Sequence, residues 1–338
     1  MDPTIEKPAS LKRKRIALQA VAAATVVSVL VTVRVLAQEV SPFARIAAAG
    51  VELIDPRTGS GRRIYSEDKW KSDQLSFAPG GRRLALVEWQ ARTSTQGPSP
   101  ELVVLDHTGS VLRRLTQSVQ RYTWCGDDCL AGIVGDYNDD SDLGFRPQAA
   151  FVYTLSSGSW TPLVEVRSPL AVTYATFDSS LYFLAVGGDG ISVLRYELGA
   201  HRLSTTTHRD IAFSPSGDYY LHFPDTRDAE FRIFDSSTDR EISWEQIKRI
   251  GTPVQWVLSK GNYLLVQERR AAPRPRHRQD SIPAPTMGVP EPELDYAVVD
   301  VGTGNIVRRI HGKRTGWIGV KGQFAVLSSG KPQVLSEP

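Results

Sequence analysis

This sequence predicts an all-β fold, a single β-propeller of four-stranded antiparallel blades, from three observations. Short apolar runs alternate with turn residues along most of the chain. Long helical periodicity is nearly absent. A strand–turn–strand unit carrying one aromatic recurs, and such units at spacings near 40–45 residues are the mark of stacked blades. The elements are taken below in chain order.

The first is an apolar run. Lys12-Arg13-Lys14-Arg15 precedes 18 uncharged residues from Ile16 to Val33. As a helix this run would be about 27 Å long, close to the roughly 30 Å of a bilayer's hydrocarbon core. The cations before it, against the lone Arg34 after it, orient the N-terminus to the cytoplasm. The reading is a cytoplasmic basic tail over 1–15, one transmembrane helix (a signal anchor) over 16–37, a linker over 38–49 and a propeller over 50–335 on the periplasmic or extracellular side. A cleaved signal peptide competes with the anchor, because Val35-Leu36-Ala37 places small residues before a cut at Gln38. The length of the run and Arg34 beside the cut favour the anchor.

Composition supports a folded outer domain. Of 338 residues, 41% are hydrophobic and 23% charged, unlike a disordered chain. The formal charge of +3 resides wholly in the first 15 residues, and the remainder is balanced. A neutral domain is a poor match for a phosphate backbone, so no nucleic-acid partner is expected.

The repeating units follow. Leu75-Ser-Phe77-Ala-Pro79-Gly80-Gly81 leads to a return strand at Leu84. Ile211-Ala-Phe213-Ser-Pro215-Ser-Gly217 leads to one at Leu221, and Val254-Gln-Trp256 to one at Leu264. Units around Trp124 and Phe177 are weaker members. The aromatics Phe77, Trp124, Phe177, Phe213, Trp256 and Trp317 lie 36 to 61 residues apart, the long intervals holding insertions. Third strands often end in Asp, as at Asp106, Asp235 and Asp300.

Phe213-Ser214-Pro215-Ser216-Gly217 matches, and Phe77-Ala78-Pro79-Gly80-Gly81 matches in part, the repeat of the TolB-type, WD-like propeller family. The chain resembles that family from about residue 50 to 335. The resemblance implies the fold and carries no catalytic residue across. Five full units leave pieces at both ends. Trp317–Val320 and Phe324–Leu327 read as inner strands, and Val51–Asp55 and Arg63–Tyr65 as outer strands, of a sixth blade closed by both termini. Closure would remove an open sheet edge. Six blades are expected, with seven as the second choice.

Three features could carry chemistry. Cys125 and Cys129 bracket Gly126-Asp127-Asp128, which sets them opposite each other across a tight turn; a structural disulfide is expected in an oxidising compartment. Asp136, Asn138, Asp140 and Asp142 place oxygens at alternate positions, the arrangement with which a loop collects calcium. A solvated acidic turn explains the same residues. The insertion 268–293 combines Arg269, Arg270, Arg274 and Arg276 with six prolines, and reads as a docking arm for an anionic surface or as a tolerated insertion. No nucleophile elbow, P-loop or complete dinucleotide fingerprint occurs. His107, His201, His208, His222, His277 and His311 show no metal spacing.

Together these predict a membrane-tethered, extracytoplasmic, monomeric and non-enzymatic binding or scaffold module. Its partner would be a protein, glycan or envelope component, met by loops near 90–100, 136–148 and 268–293. An exported hydrolase or lyase with its site at the central channel is the alternative. No cofactor is required, calcium being the one candidate.

Overall fold

The computed structural model describes residues 43–47, 50–66, 70–90, 100–137, 145–188, 190–223, 230–242, 244–257, 261–268, 293–320 and 323–335. Strands β1 (Phe43–Ala47), β2 (Gly50–Ile54) and β3 (Gly61–Tyr65) form most of a first sheet. Blade 2 is β4 (Trp70–Phe77), β5 (Arg83–Gln90), β6 (Pro100–Asp106) and β7 (Val111–Leu115). Blade 3 is β8 (Val119–Gly126), β9 (Cys129–Tyr137), β10 (Phe145–Thr154) and β11 (Ser159–Arg167). Blade 4 is β12 (Pro169–Ala175), β13 (Ser180–Gly187), β14 (Gly190–Glu197) and β15 (Arg202–Thr205). Blade 5 is β16 (Ala212–Phe213), β17 (Tyr219–His222), β18 (Arg232–Asp235) and β19 (Arg240–Glu241), followed by the helix α1 (Glu245–Ile250). Blade 6 is β20 (Gly251–Trp256), β21 (Tyr263–Glu268), β22 (Leu294–Asp300) and β23 (Ile306–Arg314). Then β24 (Ile318–Gly319) returns to blade 1 as its innermost strand, pairing Gly319 with Phe43 and Ile318 with Ala44. All pairings are antiparallel, and the result is a six-bladed propeller.

Burial explains the sequence pattern. Both faces of a middle strand are covered by neighbouring blades, so Leu84, Ala85, Leu86 and Val87 are all fully buried. Leu84 and Leu86 pack with Ala44, Val51 and Tyr65 of blade 1. Ala85 and Val87 pack with Trp124, Leu130 and Phe151 of blade 3. The core therefore lies between blades. Outermost strands cover one side only and read as charged, as in β7. Phe77, Trp124 and Trp317 are buried as their recurrence predicts, whereas Phe177 stays 40% exposed. Its ring lies against Gly217 in the next blade's turn, where φ is +82° and a side chain would collide with it.

Three expectations change. The transmembrane helix read ahead of the propeller is corrected: no described helix is long and apolar enough to cross a membrane. The one α-helix described, α1, has six residues. The physical reason is that the apolar runs of the described chain satisfy their backbone groups in sheets. Residues 16–37 lie outside the described residues. Second, β1 falls inside the 38–49 stretch read as a linker, because Phe43 and Ala44 are fully buried there.

Third, Phe324–Leu327 is not an inner strand of the closing blade. β25 (Phe324–Ser328) and β26 (Lys331–Leu335) form a hairpin that extends the sixth sheet through β23. Along β23, residues up to Gly312 pair with β22, while Lys313 and Arg314 pair with Leu327 and Val326. Alternation on β25 then serves two blades at once. Phe324 and Val326 pack on Leu265, Tyr296 and Val298 of blade 6. Ala325 packs with Phe43, Ile54 and Trp317 of blade 1, with Leu327 and Val334 alongside. The hairpin is thus a wedge in the seam where the ring closes.

Candidate functional site

Each blade has a turn between its first and second strands, and contacts among these turns define one end of the propeller. Gly80 N donates to Asp127 Oδ1 at 2.5 Å, joining the turns of blades 2 and 3. Gly81 lies against Val320, which follows β24, and Gly217 against Phe177. Ser216 and Asp218 hydrogen-bond Asn262, joining blades 5 and 6. Because the first-to-second turns share one end, the second-to-third connections share the other.

The disulfide sits at the turn end. Cys125 and Cys129 are bonded, with Cα atoms 5.0 Å apart, as the spacing predicts. Gly126 between them has φ +151°, within reach of glycine in a tight hairpin. Cys125 is buried with Leu163, Leu181 and Tyr196. Closing so short a ring contributes on the order of 2 kcal/mol in the chain-entropy account.

The opposite end receives the three connections singled out from sequence. They leave and return at Gln90 and Pro100, Tyr137 and Phe145, and Glu268 and Leu294. Asp136 is exposed near the end of β9, where Gln148 Nε2 donates to its Oδ2 at 2.5 Å. Asn138, Asp140 and Asp142 lie outside the described residues, and so do Arg269, Arg270, Arg274 and Arg276. Among the described residues, no group of three His, Cys, Asp or Glu side chains converges as a metal site.

What it does place at this end is a series of polar networks that the sequence did not reveal. Glu88, 1% exposed, accepts from Tyr65 Oη at 3.0 Å and from Arg114 Nη1 at 3.1 Å. Arg114 also donates to Glu101 Oε2 at 3.0 Å, across the register pair Glu88–Glu101. Burial, followed by the Glu88 charge, pushes the Tyr65 hydroxyl up to about 12. In blade 5, Asp210 Oδ2 lies 3.5 Å from His222 Nδ1 and accepts from Phe223 N. In blade 6, Arg309 Nε donates to Glu268 Oε1 at 2.7 Å, and His311 lies between Asp295 at 2.5 Å and Glu293 at 3.0 Å on opposite ring nitrogens. That opposed geometry suits an imidazolium donating twice. Val186, Ile191 and Phe223, each 45–50% exposed, add apolar contacts to the same end on blades 4 and 5.

The surroundings of two histidines shift them in opposite directions. His208 lies between blades 4 and 5, among Tyr182, Phe213 and Tyr220 at ring separations of 6.1, 5.3 and 5.3 Å. Burial lowers its pKa, against the partial opposition of Asp239 and Asp178. His311 is raised, first by Asp295 and then by Glu293. A lowered histidine contributes stability that is present above its unfolded value of about 6.5 and lost as pH falls below it. A raised one contributes stability present below about 6.5 and lost as pH rises through its folded value. Melting curves from pH 5 to 8 should therefore flatten on the acid side in His208→Phe and on the alkaline side in His311→Ala. Unchanged limbs in both variants would refute these assignments.

No protein-family model matches the chain, and no curated protein matches it in sequence. Its fold is similar to solved propeller structures at low identity. TolB from Acinetobacter baumannii aligns at 12% identity and TM-score 0.47, over 80% of this chain and 62% of that one. A nidogen/laminin complex aligns at 9% and 0.44, over 80% and 92%. The β-propeller domain of the Trilobed protease from Pyrococcus furiosus aligns at 10% and 0.44, over 78% and 80%. The chain spans less than two thirds of the TolB chain, and what these likenesses share with it is the fold.

Proposed function

We propose that this chain is a non-enzymatic binding module working outside the cytoplasm, and that it engages a protein or glycan partner through the end opposite the interlocked turns. The observation that supports it most is topological. The three long connections all begin and end at that side, while the first-to-second turns are tied to one another at the far side. Rigid strands below and variable connections above are how a scaffold positions recognition residues. The Cys125–Cys129 disulfide suits an oxidising compartment. A channel-sited hydrolase or lyase is not favoured. Of the tyrosines with raised titration, Tyr65, Tyr182 and Tyr220 lie on the fourth strand of blade 1 and the second strands of blades 4 and 5, and Tyr122, on the innermost strand of blade 3, has its hydroxyl bonded to Ser76 and Ala85 of blade 2.

The test is photocrosslinking in living cells. A photoreactive residue replaces Phe223 at the proposed binding end, or Arg57 in the exposed turn at the other end. Adducts from position 223 and none from position 57 are the expected result. Equal labelling, or none from 223, would remove the proposed face.

A further inference from the structure

The closing seam holds a cavity of 360 Å³ bordered by Gln255 of β20, the stretch from Arg314 to Gly319, Gln323 and Phe324. The innermost strand beside it, β24, has two residues, as β16 of blade 5 does, and pairs with only Phe43 and Ala44 of β1. The volume lies in the lower range for small-ligand sites.

Its lining has a specific chemistry. Gln323 Oε1 is buried and has no hydrogen-bond donor among the described residues, although the residue's backbone is held by Gln323 N donating to Val320 O at 3.2 Å. A buried carbonyl left without a donor is costly, so it marks a position where an N–H or O–H would be received. Arg314 is exposed at the end of β23 and makes no ion pair among the described residues. Its planar guanidinium presents a fork that fits a carboxylate with two parallel hydrogen bonds. Trp317 and Phe324, both buried, supply an apolar wall.

We infer that this cavity binds a carboxylate with an N–H one carbon away and an apolar side chain, which is the chemistry of an amino acid's α-carboxylate end. Arg314 takes the carboxylate, Gln323 Oε1 accepts the N–H, and Trp317 and Phe324 receive the side chain. The ligand is either a free amino acid or the last residue of a peptide. The inference does not depend on the function proposed for the loop-bearing end.

Calorimetric titration of the full chain tests the inference. The probes are N-acetyl-leucine, leucine, a tetrapeptide ending in leucine, and N-acetyl-leucinamide, which lacks the carboxylate. Saturable binding of at least one of the three carboxylates is expected, with the amide weaker by about tenfold or more. Arg314→Gln should weaken carboxylate binding by a similar factor without shifting the melting temperature, since the residue is exposed. Gln323→Leu should weaken binding and leave the melting temperature unchanged or raised, because it removes an unpaired buried oxygen. Preference for the tetrapeptide and N-acetyl-leucine assigns a chain end, and preference for leucine assigns a free amino acid. No saturable heat from any carboxylate, or binding indifferent to Arg314→Gln, would overturn the proposal.

Discussion

Arg114→Met is expected to destabilise the propeller by about 3–5 kcal/mol, because it takes a hydrogen-bonded guanidinium away from the buried Glu88 carboxylate. Glu88 is 1% exposed, and the Arg114 guanidinium links it to Glu101 and to the Tyr65 hydroxyl, which donates to the same Glu88 oxygen. The four groups span blades 1 and 2, so the loss should appear as a lowered melting temperature of the whole domain, by roughly 6–15 °C. The network does not thereby add net stability. Replacing its members together by apolar groups is often neutral or better. Tyr65→Phe, Glu88→Leu and Arg114→Met combined should recover most of what Arg114→Met alone loses. Thermal or urea unfolding of the two variants checks both halves. A loss under about 1 kcal/mol for Arg114→Met would mean that the cation is not what holds Glu88 charged.

Gly312→Val is expected to unseat the C-terminal wedge at a cost of about 1–3 kcal/mol. A Cβ at Gly312 would lie 2.6 Å from Leu327 O and 2.9 Å from Leu327 C, which are backbone atoms that no rotamer change can move. Gly312 is also where β23 exchanges β22 for β25 as its partner. Only two register pairs join β23 to β25, so there is little to resist separation. Hydrogen exchange should show protection lost at Ala325–Leu327 and Gln333–Leu335 and kept in β5, β9 and β13. Retained protection in the hairpin would show that its side chains, not its sheet pairing, seat it.

Much of the fold was legible because a propeller repeats its local rules. Phe77, Trp124 and Trp317 are buried at the positions their recurrence implied. The disulfide followed from a local spacing, since three residues between two cysteines leave little freedom across a hairpin. The wedge was not legible. Phe324–Leu327 has the apolar character of any inner strand, and only packing decides whether it lines the channel or fills a seam. The polar networks were hidden for a related reason. Glu88 ends an apolar run and could as well have faced water, and its partners Tyr65 and Arg114 stand 23 and 26 residues away. His208 gave no signal, because its neighbours come from two blades. Of the acidic set, only Asp136 is among the described residues, as an exposed group bonded to Gln148. The arginine set lies wholly outside them.

The pairing of Phe43 with Gly319 has a consequence for how the domain is made. Blade 1 acquires its innermost strand from nearly the far end of the sequence. While the chain emerges from a ribosome or crosses a translocation pore, blades 2 to 5 can form as their residues appear, each from contiguous hairpins. Blade 1 must wait with Ala44 and Val51 incompletely covered until residues 318–319 arrive. A contact so distant in sequence carries a large loop-closure cost and slows the final step. The expected state of the nascent protein before that pairing forms is an open ring whose two ends expose unpaired strand edges. Its yield should then depend on the chaperones that shelter that intermediate.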